Sequence, residues 1–465
     1  PFIEQKKTKS GKMKKVSKEK SINPIAWVPT AYFAMGLPFI AVNLVSTFMF
    51  KDLGISDTQI AFWTSVIMLP WTLKFLWSPF LEMYRTKKFF VIVTQLLSGL
   101  LFGIVALSLN FDYFFAISIS TMAVIALSGA THDIACDGVY MAELSPEDQA
   151  KYIGVQGAFY NIAKLVANGG LVAAAGMLAE HFGASEGASI QANMPAYKEA
   201  WMIIFIIISA LLLLLGLYHS KVLPSTQVPN QEKRSSADVA KELWEVIKNF
   251  FTKKHIFYYI CFIILYRFAE GFIMKIAPLF LRSSRDIGGL GLSLTEIGTL
   301  NGVFGSAAFV LGSLLAGVYV SRRGLKKTLF TLCCVFNFPF VAYTLLAIFQ
   351  PENLYLIGTG IVIEYFGYGF GFVGLTLFMM QQIAPGKHQM SHYAFASGIM
   401  NLGVMLPGMM SGFFSDWLGY ERFFIYVLLA TIPSLLITYF IPFTYDDSKK
   451  ESNLSLIHIS EPTRP

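Results

Sequence analysis

Charged side chains inside long apolar segments are the residues of this sequence best suited to chemistry. A charge is costly in hydrocarbon, so such residues face a water-filled cavity or pair with one another. The apolar segments contain His132, Asp133, Asp137, Lys164, Arg267, Glu270, Lys275 and Glu364. These groups can bind a proton or hold a charged ligand. The sequence shows no nucleophilic triad and no zinc-type spacing, so we predict no catalytic residue, no metal and no cofactor.

Two motif matches favour structural interpretations. Gly369, Gly371 and Gly374 satisfy GxGxxG, but they lie inside an apolar segment rather than after a strand. Small residues in such a segment let helices approach closely, which favours helix packing over dinucleotide binding. His388 and His392 have i,i+4 spacing but flank a loop and lack the acid of a zinc motif. We therefore expect a solvated loop there.

The composition indicates a membrane protein. The chain has 465 residues, of which 55% are hydrophobic and 14% are charged, whereas soluble domains carry roughly 25% charged residues. Apolar segments long enough to cross hydrocarbon fall at 25–48, 58–80, 89–109, 113–138, 152–178, 199–219, 255–280, 295–320, 328–349, 354–382, 393–415 and 422–443. We predict an all-α protein with twelve transmembrane helices, numbered here as spans 1 to 12. The net charge of +7 sits at the ends and in loops, which argues against nucleic-acid binding.

A repeated sequence relates the two groups of six spans. GISDTQI at 54–60 returns as GLSLTEI at 291–297. Ser56 with Gln59, and Ser293 with Glu296, both fit a capping box that opens a helix. They begin spans 2 and 8, which indicates a duplication of a six-helix bundle. Lys- and Arg-rich loops after these spans place both termini in the cytoplasm by the positive-inside rule, with Arg282 and Arg285 as exceptions.

The predicted domains follow from these boundaries. They are a basic cytoplasmic tail at 1–20, a six-helix bundle at 21–220, a cytoplasmic linker with an amphipathic helix at 221–254, a second six-helix bundle at 255–445, and a tail at 446–465. Residues 1–12 are expected to be non-native, because Met13 is the better candidate start. The final tail ends in LSLIHISEPTRP, which is typical of a cloning or sequencing scar.

The charged residues divide into three candidate groups. Glu364 lies near mid-depth without a partner in its own helix, so it is the first proton-coupling candidate, followed by Glu270 and Asp133. Arg267 and Glu270 are spaced i,i+3 and can form an ion pair, which either serves transport or only neutralises itself. The substrate-cavity candidates are Arg267, Lys164, Asn161, His132, Lys275 and Tyr365. The candidate cytoplasmic gate consists of Lys74, Arg85, Lys87, Lys88, Asp137 and Glu143.

Several segments resemble one branch of the major facilitator superfamily. YFAMGLPF in span 1, LKFLWSPF in span 2, THDIACDGVYMAEL in span 4 and ILYRFAEGF in span 7 are similar to the AmpG branch, which contains muropeptide permeases and acetyl-CoA transporters. Glu270 stands where that branch usually has Asp. The branch often carries two extra spans that are not found here.

The resemblance implies two pseudo-symmetric six-helix bundles and a substrate site between them near the midplane. It also implies proton-driven import of a sugar or peptide-sugar from the cell wall across the inner membrane, by a monomer. Three alternatives share the fold: an acetyl-CoA carrier, a carrier of another oligosaccharide, and an exporter of a drug or siderophore. A membrane-embedded acyltransferase, with His132 and Asp133 as base, is a further alternative.

Overall fold

The structure is a computed structural model that describes residues 23–78, 81, 86–144, 146–185, 188–224, 236–386 and 389–445. All regular secondary structure in these residues is helical. The first half contains Pro24–Asp52 (span 1), Asp57–Val66 with Leu69–Leu73 and Lys74–Leu76 (span 2), Lys87–Ser108 (span 3), Phe114–Glu143 (span 4), Pro146–Lys164 with Leu165–Leu171 and Val172–His181 (span 5), and Ile190–Val222 (span 6).

The linker helix is Ser236–Phe251. The second half contains Ile256–Tyr266 with Phe268–Arg282 (span 7), Leu294–Ile297 with Gly298–Gly305 and Ser306–Arg323 (span 8), Leu325–Asn337 with Phe340–Phe349 (span 9), Leu354–Phe378 with Met379–Ile383 (span 10), and Gln389–Ala430 with Ile432–Tyr439 (spans 11 and 12).

Ten helical segments in the described residues are long and apolar enough to cross a membrane, and two local features reconcile this number with the predicted twelve. Span 2 is divided into short helices, and Pro70 lies in the first turn of Leu69–Leu73. Its nitrogen carries no hydrogen, so it cannot continue the hydrogen-bond ladder of the preceding helix, which ends at Val66. Spans 11 and 12 run together as one segment, and Gly419 divides them with φ 72° and ψ 162°. The fold is the predicted one, with two pseudo-symmetric six-helix bundles.

The repeated capping sequences behave differently in the two halves. At span 8 the capping box is complete, since Ser293 accepts from the Glu296 N–H and the Glu296 side chain accepts from the Ser293 N–H. At span 2 Ser56 accepts from the Gln59 N–H at 3.4 Å. There the Ser56 hydroxyl also donates to the Gln59 side-chain oxygen at 3.4 Å, and the described residues show no reciprocal bond from the Ser56 N–H. The predicted capping box is therefore only half correct at Ser56.

Two pairs of helices form the most extensive contacts between the bundles. Span 2 packs along span 11, and span 5 packs against span 8. Spans 5 and 8 approach most closely where both carry glycine. A Cβ placed on Gly302 would lie only 2.1 Å from Gly169 Cα. We call the face that carries the loops after spans 2 and 8 the basic side. The Gly169–Gly302 contact and the ends of spans 1 and 7 lie toward the opposite side. We call it the closed side, because these contacts join the two bundles there.

Candidate functional site

A cavity of about 130 Å³ lies between the two bundles. Spans 1, 2, 7, 8, 9 and 10 contribute its walls. Four of the residues singled out from the sequence line it, namely Glu270, Lys275, Glu364 and Tyr365. The structure therefore brings charged groups from spans 7 and 10 to one place, as expected for a site between the two bundles.

Arg267 and Glu270 form the ion pair that their spacing indicates. Span 7 is interrupted at Arg267, where φ is −101° and ψ is 4°. From there the guanidinium donates to both carboxylate oxygens of Glu270, at 2.6 Å from Nε and 2.6 Å from Nη2. Such bidentate pairs are the strong ones. The Arg267 side chain also lies 5.2 Å from the Phe372 ring centroid. Glu270 is thus neutralised within its own span.

Glu364 differs from Glu270 in its surroundings. It lines the cavity from span 10, and no described residue gives it an ion pair or a hydrogen bond. Lys275 contributes a cation to the cavity wall. Its ammonium donates to the Thr64 hydroxyl of span 2 at 3.1 Å, so a cation of the second bundle reaches across to the first.

Lys164 and Asn161 lie beside the cavity rather than in its wall. The Lys164 ammonium is 5.0 Å from the Tyr160 ring centroid and 5.9 Å from that of Phe309 in span 8. Aromatic faces of this kind stabilise a cation that has lost water. Asn161 donates to the Gly157 carbonyl in its own helix at 2.9 Å. Lys164 therefore lies at the contact between spans 5 and 8.

The acids of span 4 are bound inside the first bundle. Asp133 lies 3.5 Å from the Lys74 ammonium of span 2. Asp137 accepts from the Tyr32 hydroxyl of span 1 at 2.8 Å. These contacts tie spans 1, 2 and 4 together near the basic side.

His132 lies in the interior of the first bundle, away from the cavity. It is 3% exposed, and its Nε2 is 2.9 Å from Gln95 Nε2. The chain of polar contacts continues from Gln95 to His219 at 2.8 Å and from His219 to Thr30 at 2.9 Å. This network connects spans 1, 3, 4 and 6, and it places His132 in bundle packing rather than in contact with the cavity.

Of the remaining gate candidates, Lys87, Lys88 and Glu143 lie at the basic side. Arg85 lies outside the described residues. The Lys87 stem lies against span 4, since a Cβ placed on Gly138 would be 2.7 Å from Lys87 Cδ. Lys88 donates to the Leu223 carbonyl at the end of span 6 at 2.7 Å. Glu143 is exposed at the end of span 4.

A cluster on the closed side was not identified from the sequence. Asp52 of span 1 accepts from Arg282 of span 7 at 2.7 Å and from the Trp201 indole at 3.0 Å. Arg282 also donates to Tyr197 at 2.6 Å. One ion pair thus links the two bundles. The sequence contained a signal for this cluster, because Arg282 is an exception to the positive-inside rule and therefore needs a partner.

A second contact on the same side also joins the bundles. The Tyr420 hydroxyl, at the start of span 12, donates to Asp57 of span 2 at 2.6 Å. Lys51 is 2.7 Å from the other oxygen of Asp57.

The expectation of a solvated loop is wrong for His392; His388 lies outside the described residues. His392 is 2% exposed, and its Nε2 lies 3.2 Å from the Val246 carbonyl of the linker helix. Next to this contact Lys253 donates to the carbonyls of Ile383 and Pro385 at 2.5 and 2.6 Å. Burial lowers the pKa of Lys253. The linker helix therefore docks on the second bundle.

Sequence comparison agrees with this architecture. Residues 30–385 match the family profile described as "Major Facilitator Superfamily". The "Anhydromuropeptide permease" of Escherichia coli (strain K12) is 24% identical over 416 residues, which cover 87% of this chain and 77% of the relative. "Putative transporter AmpG 1" of Rickettsia bellii is 23% identical over 383 residues, which cover 80% of this chain and 87% of the relative.

Solved structures share the fold. A bacterial homolog of the human lysosomal transporter Spinster, in an inward-facing and unoccupied conformation, gives a TM-score of 0.69 at 13% identity, covering 90% of this chain and 95% of that one. A D-xylose-proton symporter gives a TM-score of 0.62 at 13% identity, covering 91% and 99%.

Proposed function

Because this chain belongs to the major facilitator superfamily, we propose that it imports a peptidoglycan-derived muropeptide or a related amino sugar across the inner membrane together with protons. The chain is a multi-pass membrane transporter rather than an enzyme. The finer assignment follows the Escherichia coli relative, an anhydromuropeptide permease whose similarity covers 87% of this chain. The basic side faces the cytoplasm in this proposal, in line with the positive-inside rule.

Glu364 carries the proton-coupling part of the proposal. It is an acid in the cavity wall to which the described residues supply no compensating cation. An unpaired carboxylate in a membrane interior is disfavoured, so a bound proton is the available way to neutralise it. Glu270 is less suited to this role, because Arg267 already neutralises it. Asp133 is the reserve candidate, although Lys74 lies beside it.

Alternating access supplies the transport cycle. The bundles meet on the side opposite the basic loops through the Asp52–Arg282 ion pair and the Gly169–Gly302 contact. A cargo in the cavity is therefore released toward the basic side from this conformation. Return to the other conformation requires these contacts to open, and the cavity groups then face the opposite solution.

The cargo assignment also draws on the chemistry of the wall. Lys275 offers a cation for a carboxylate of the cargo, and three tyrosines offer faces for sugar rings: Tyr343, Tyr365 and Tyr368. An acetyl-CoA carrier, a carrier of a different oligosaccharide and an exporter would share this fold, so the test compares cargoes directly.

Cargo-dependent proton uptake in proteoliposomes tests the proposal. The panel contains N-acetylglucosaminyl-anhydro-N-acetylmuramic acid with and without peptide, acetyl-CoA and D-xylose. We expect the muropeptide fragments to drive proton entry and to accumulate against their gradient. Glu364→Gln should abolish accumulation while exchange at equal concentrations continues, because only the proton site is lost.

Glu352→Gln is the matched control, since Glu352 is an exposed acid in the loop before span 10. It should accumulate cargo like the wild type. If Glu364→Gln still accumulates cargo against its gradient, the proton site must be Asp133 or Glu270. Proton uptake driven by acetyl-CoA or xylose, and not by muropeptides, would overturn the cargo assignment.

A further inference from the structure

Spans 5 and 8 enclose a wedge-shaped gap that opens toward the basic side. At its narrow end, a Cβ placed on Gly169 would lie 3.1 Å from Gly302 Cα. Lys164 precedes Gly169 by five residues, which is about 7.5 Å along a helix, and its ammonium is 5.9 Å from the Phe309 ring centroid of span 8. At the wide end, on the same helix face as Lys164, a Cβ placed on Gly157 would meet no atom within 4 Å. Lys164 therefore lies near the apex of the wedge.

The Lys164 ammonium is an accessible positive charge. The side chain is partly exposed, and among the described residues no carboxylate lies within ion-pair distance of it. Water can hydrate an ammonium but brings no opposite charge. The other nearby cations are less available, because Arg267 is paired with Glu270, and Lys275 is 3% exposed and donates to Thr64. An anion that enters the wedge would therefore be stabilised at Lys164.

Aromatic rings connect Lys164 with the cavity. The Phe309 ring centroid lies 5.1 Å from that of Tyr368 in span 10, and Tyr368 belongs to the cavity wall. Both side chains are partly exposed. On the side of the first bundle, the Tyr160 ring centroid lies 5.0 Å from the ammonium. The cation thus sits at one end of an aromatic surface, and the cavity lies at the other end.

The size of the cavity indicates that the cargo extends into the wedge. Sites for drug-sized ligands typically have volumes of about 300–1,000 Å³, whereas the cavity has about 130 Å³. A disaccharide that places one ring in the cavity therefore has its remaining part outside. The contact between Tyr368 and Phe309 leads this part toward Lys164.

We propose that Lys164 is an anion subsite for a carboxylate of the cargo, and that Phe309 and Tyr368 form the surface on which the adjoining sugar ring lies. The inference rests on the proposed transport function and deepens it, because it assigns the cargo to acidic sugars. One ammonium balances the single charge of a carboxylate, whereas the phosphates of acetyl-CoA carry several negative charges. The cation belongs to the first bundle and the rings to the second, so a bound acidic sugar bridges the two bundles.

Equilibrium binding to the purified full-length chain in nanodiscs tests the subsite. One pair of probes is N-acetylglucosaminyl-anhydro-N-acetylmuramic acid and its carboxamide, which lacks the negative charge. The second pair is D-glucuronate and D-glucuronamide. We expect the wild type to prefer each acid over its amide. Lys164→Gln should lose this preference, and its affinity for the disaccharide acid should fall by about tenfold or more, while affinity for the amides changes little.

Further variants separate the charge from the aromatic surface. Lys164→Arg should keep the preference for the acids, because it keeps the charge. Phe309→Leu should weaken the acid and the amide of a pair by the same factor, because it removes a ring and no charge. Lys221→Gln is the matched control, since Lys221 is an exposed lysine at the end of span 6, and it should bind all four probes like the wild type. If Lys164→Gln does not fold, Lys164→Met replaces it.

The outcomes separate the subsite from the transport proposal. Equal affinity for acid and amide in the wild type overturns the subsite even if muropeptides are transported. A lower thermal midpoint in Lys164→Gln with the preference intact also overturns it, because the cation would then only join spans 5 and 8. Loss of the preference in Lys275→Gln alone would place the anion at Lys275 instead. A preference for D-glucuronate that depends on Lys164, without binding of the disaccharide, supports the subsite and overturns the muropeptide assignment.

Discussion

At the scale of single residues, Arg267 and Glu270 are tied to each other inside span 7, with 5% and 4% of their surfaces exposed. Removing one partner leaves a buried charge without compensation, which typically costs about 3–5 kcal/mol. We therefore expect Arg267→Gln and Glu270→Gln each to lower the thermal midpoint of the purified protein strongly. The double variant should recover most of the loss, because it leaves no unpaired charge.

Thermal unfolding in detergent measures the stability of the single and double variants. A transport assay shows whether the pair also contributes to the transport cycle. Arg322→Gln is a suitable control, since Arg322 is exposed at the end of span 8. Additive losses in the double variant would show that the two side chains act independently. Full stability with lost transport would show that the pair contributes to the cycle as well as to neutrality.

At the scale of helices, the ends of spans 1 and 7 are joined by Asp52 and Arg282 on the closed side. Arg282→Gln removes the ion pair and the bond to Tyr197. We expect the variant to populate the conformation that is open on this side. Spin labels at Tyr113 and Tyr355 report the change, because these residues are 80% and 88% exposed and belong to different bundles. The distance between the labels should lengthen.

Arg285→Gln is the matched control for this experiment. Arg285 lies on the same side and donates to the carbonyls of Gln350 and Pro351 within its own bundle, at 2.9 and 3.0 Å. Its removal should leave the distance between the labels unchanged. An unchanged distance in Arg282→Gln as well would show that the helix contacts alone hold this side closed.

At the scale of the whole molecule, the two bundles are held together by helix contacts that do not involve the linker. The linker helix contacts the second bundle through Val246 and His392, and Lys253 just after the helix donates to the end of span 10. We expect a chain cut at a protease site inserted between residues 224 and 236 to stay assembled and to transport. Co-purification of the two fragments on a tag in the first bundle measures this.

The same cut in the Gly302→Leu variant tests whether the contact between spans 5 and 8 holds the fragments together. A side chain at this position collides with Gly169, which a Cβ would already approach to 2.1 Å, so the fragments should separate more readily. Separation of the fragments in the wild-type background would show that the linker itself holds the bundles together.

The sequence determined the fold class, because twelve apolar segments of membrane length leave a helical membrane protein as the solution that satisfies the backbone. It also determined the Arg267–Glu270 pair and the cap at Ser293, since both depend on contacts three residues apart. The acids of the cavity could also be predicted, because a charged side chain inside an apolar segment is costly in hydrocarbon and therefore marks a cavity or an ion pair. These inferences need only local spacing and composition.

Tertiary structure decided the rest, because it depends on which helices meet. Asp52 and Arg282 are far apart in sequence, so their ion pair follows from the packing of the bundles. His132 was expected in the cavity, but its helix turns it toward Gln95 inside the first bundle. Asn43 and Asn301 carry no charge and gave no signal at all. The two side chains lie in the cavity wall because spans 1 and 8 meet there.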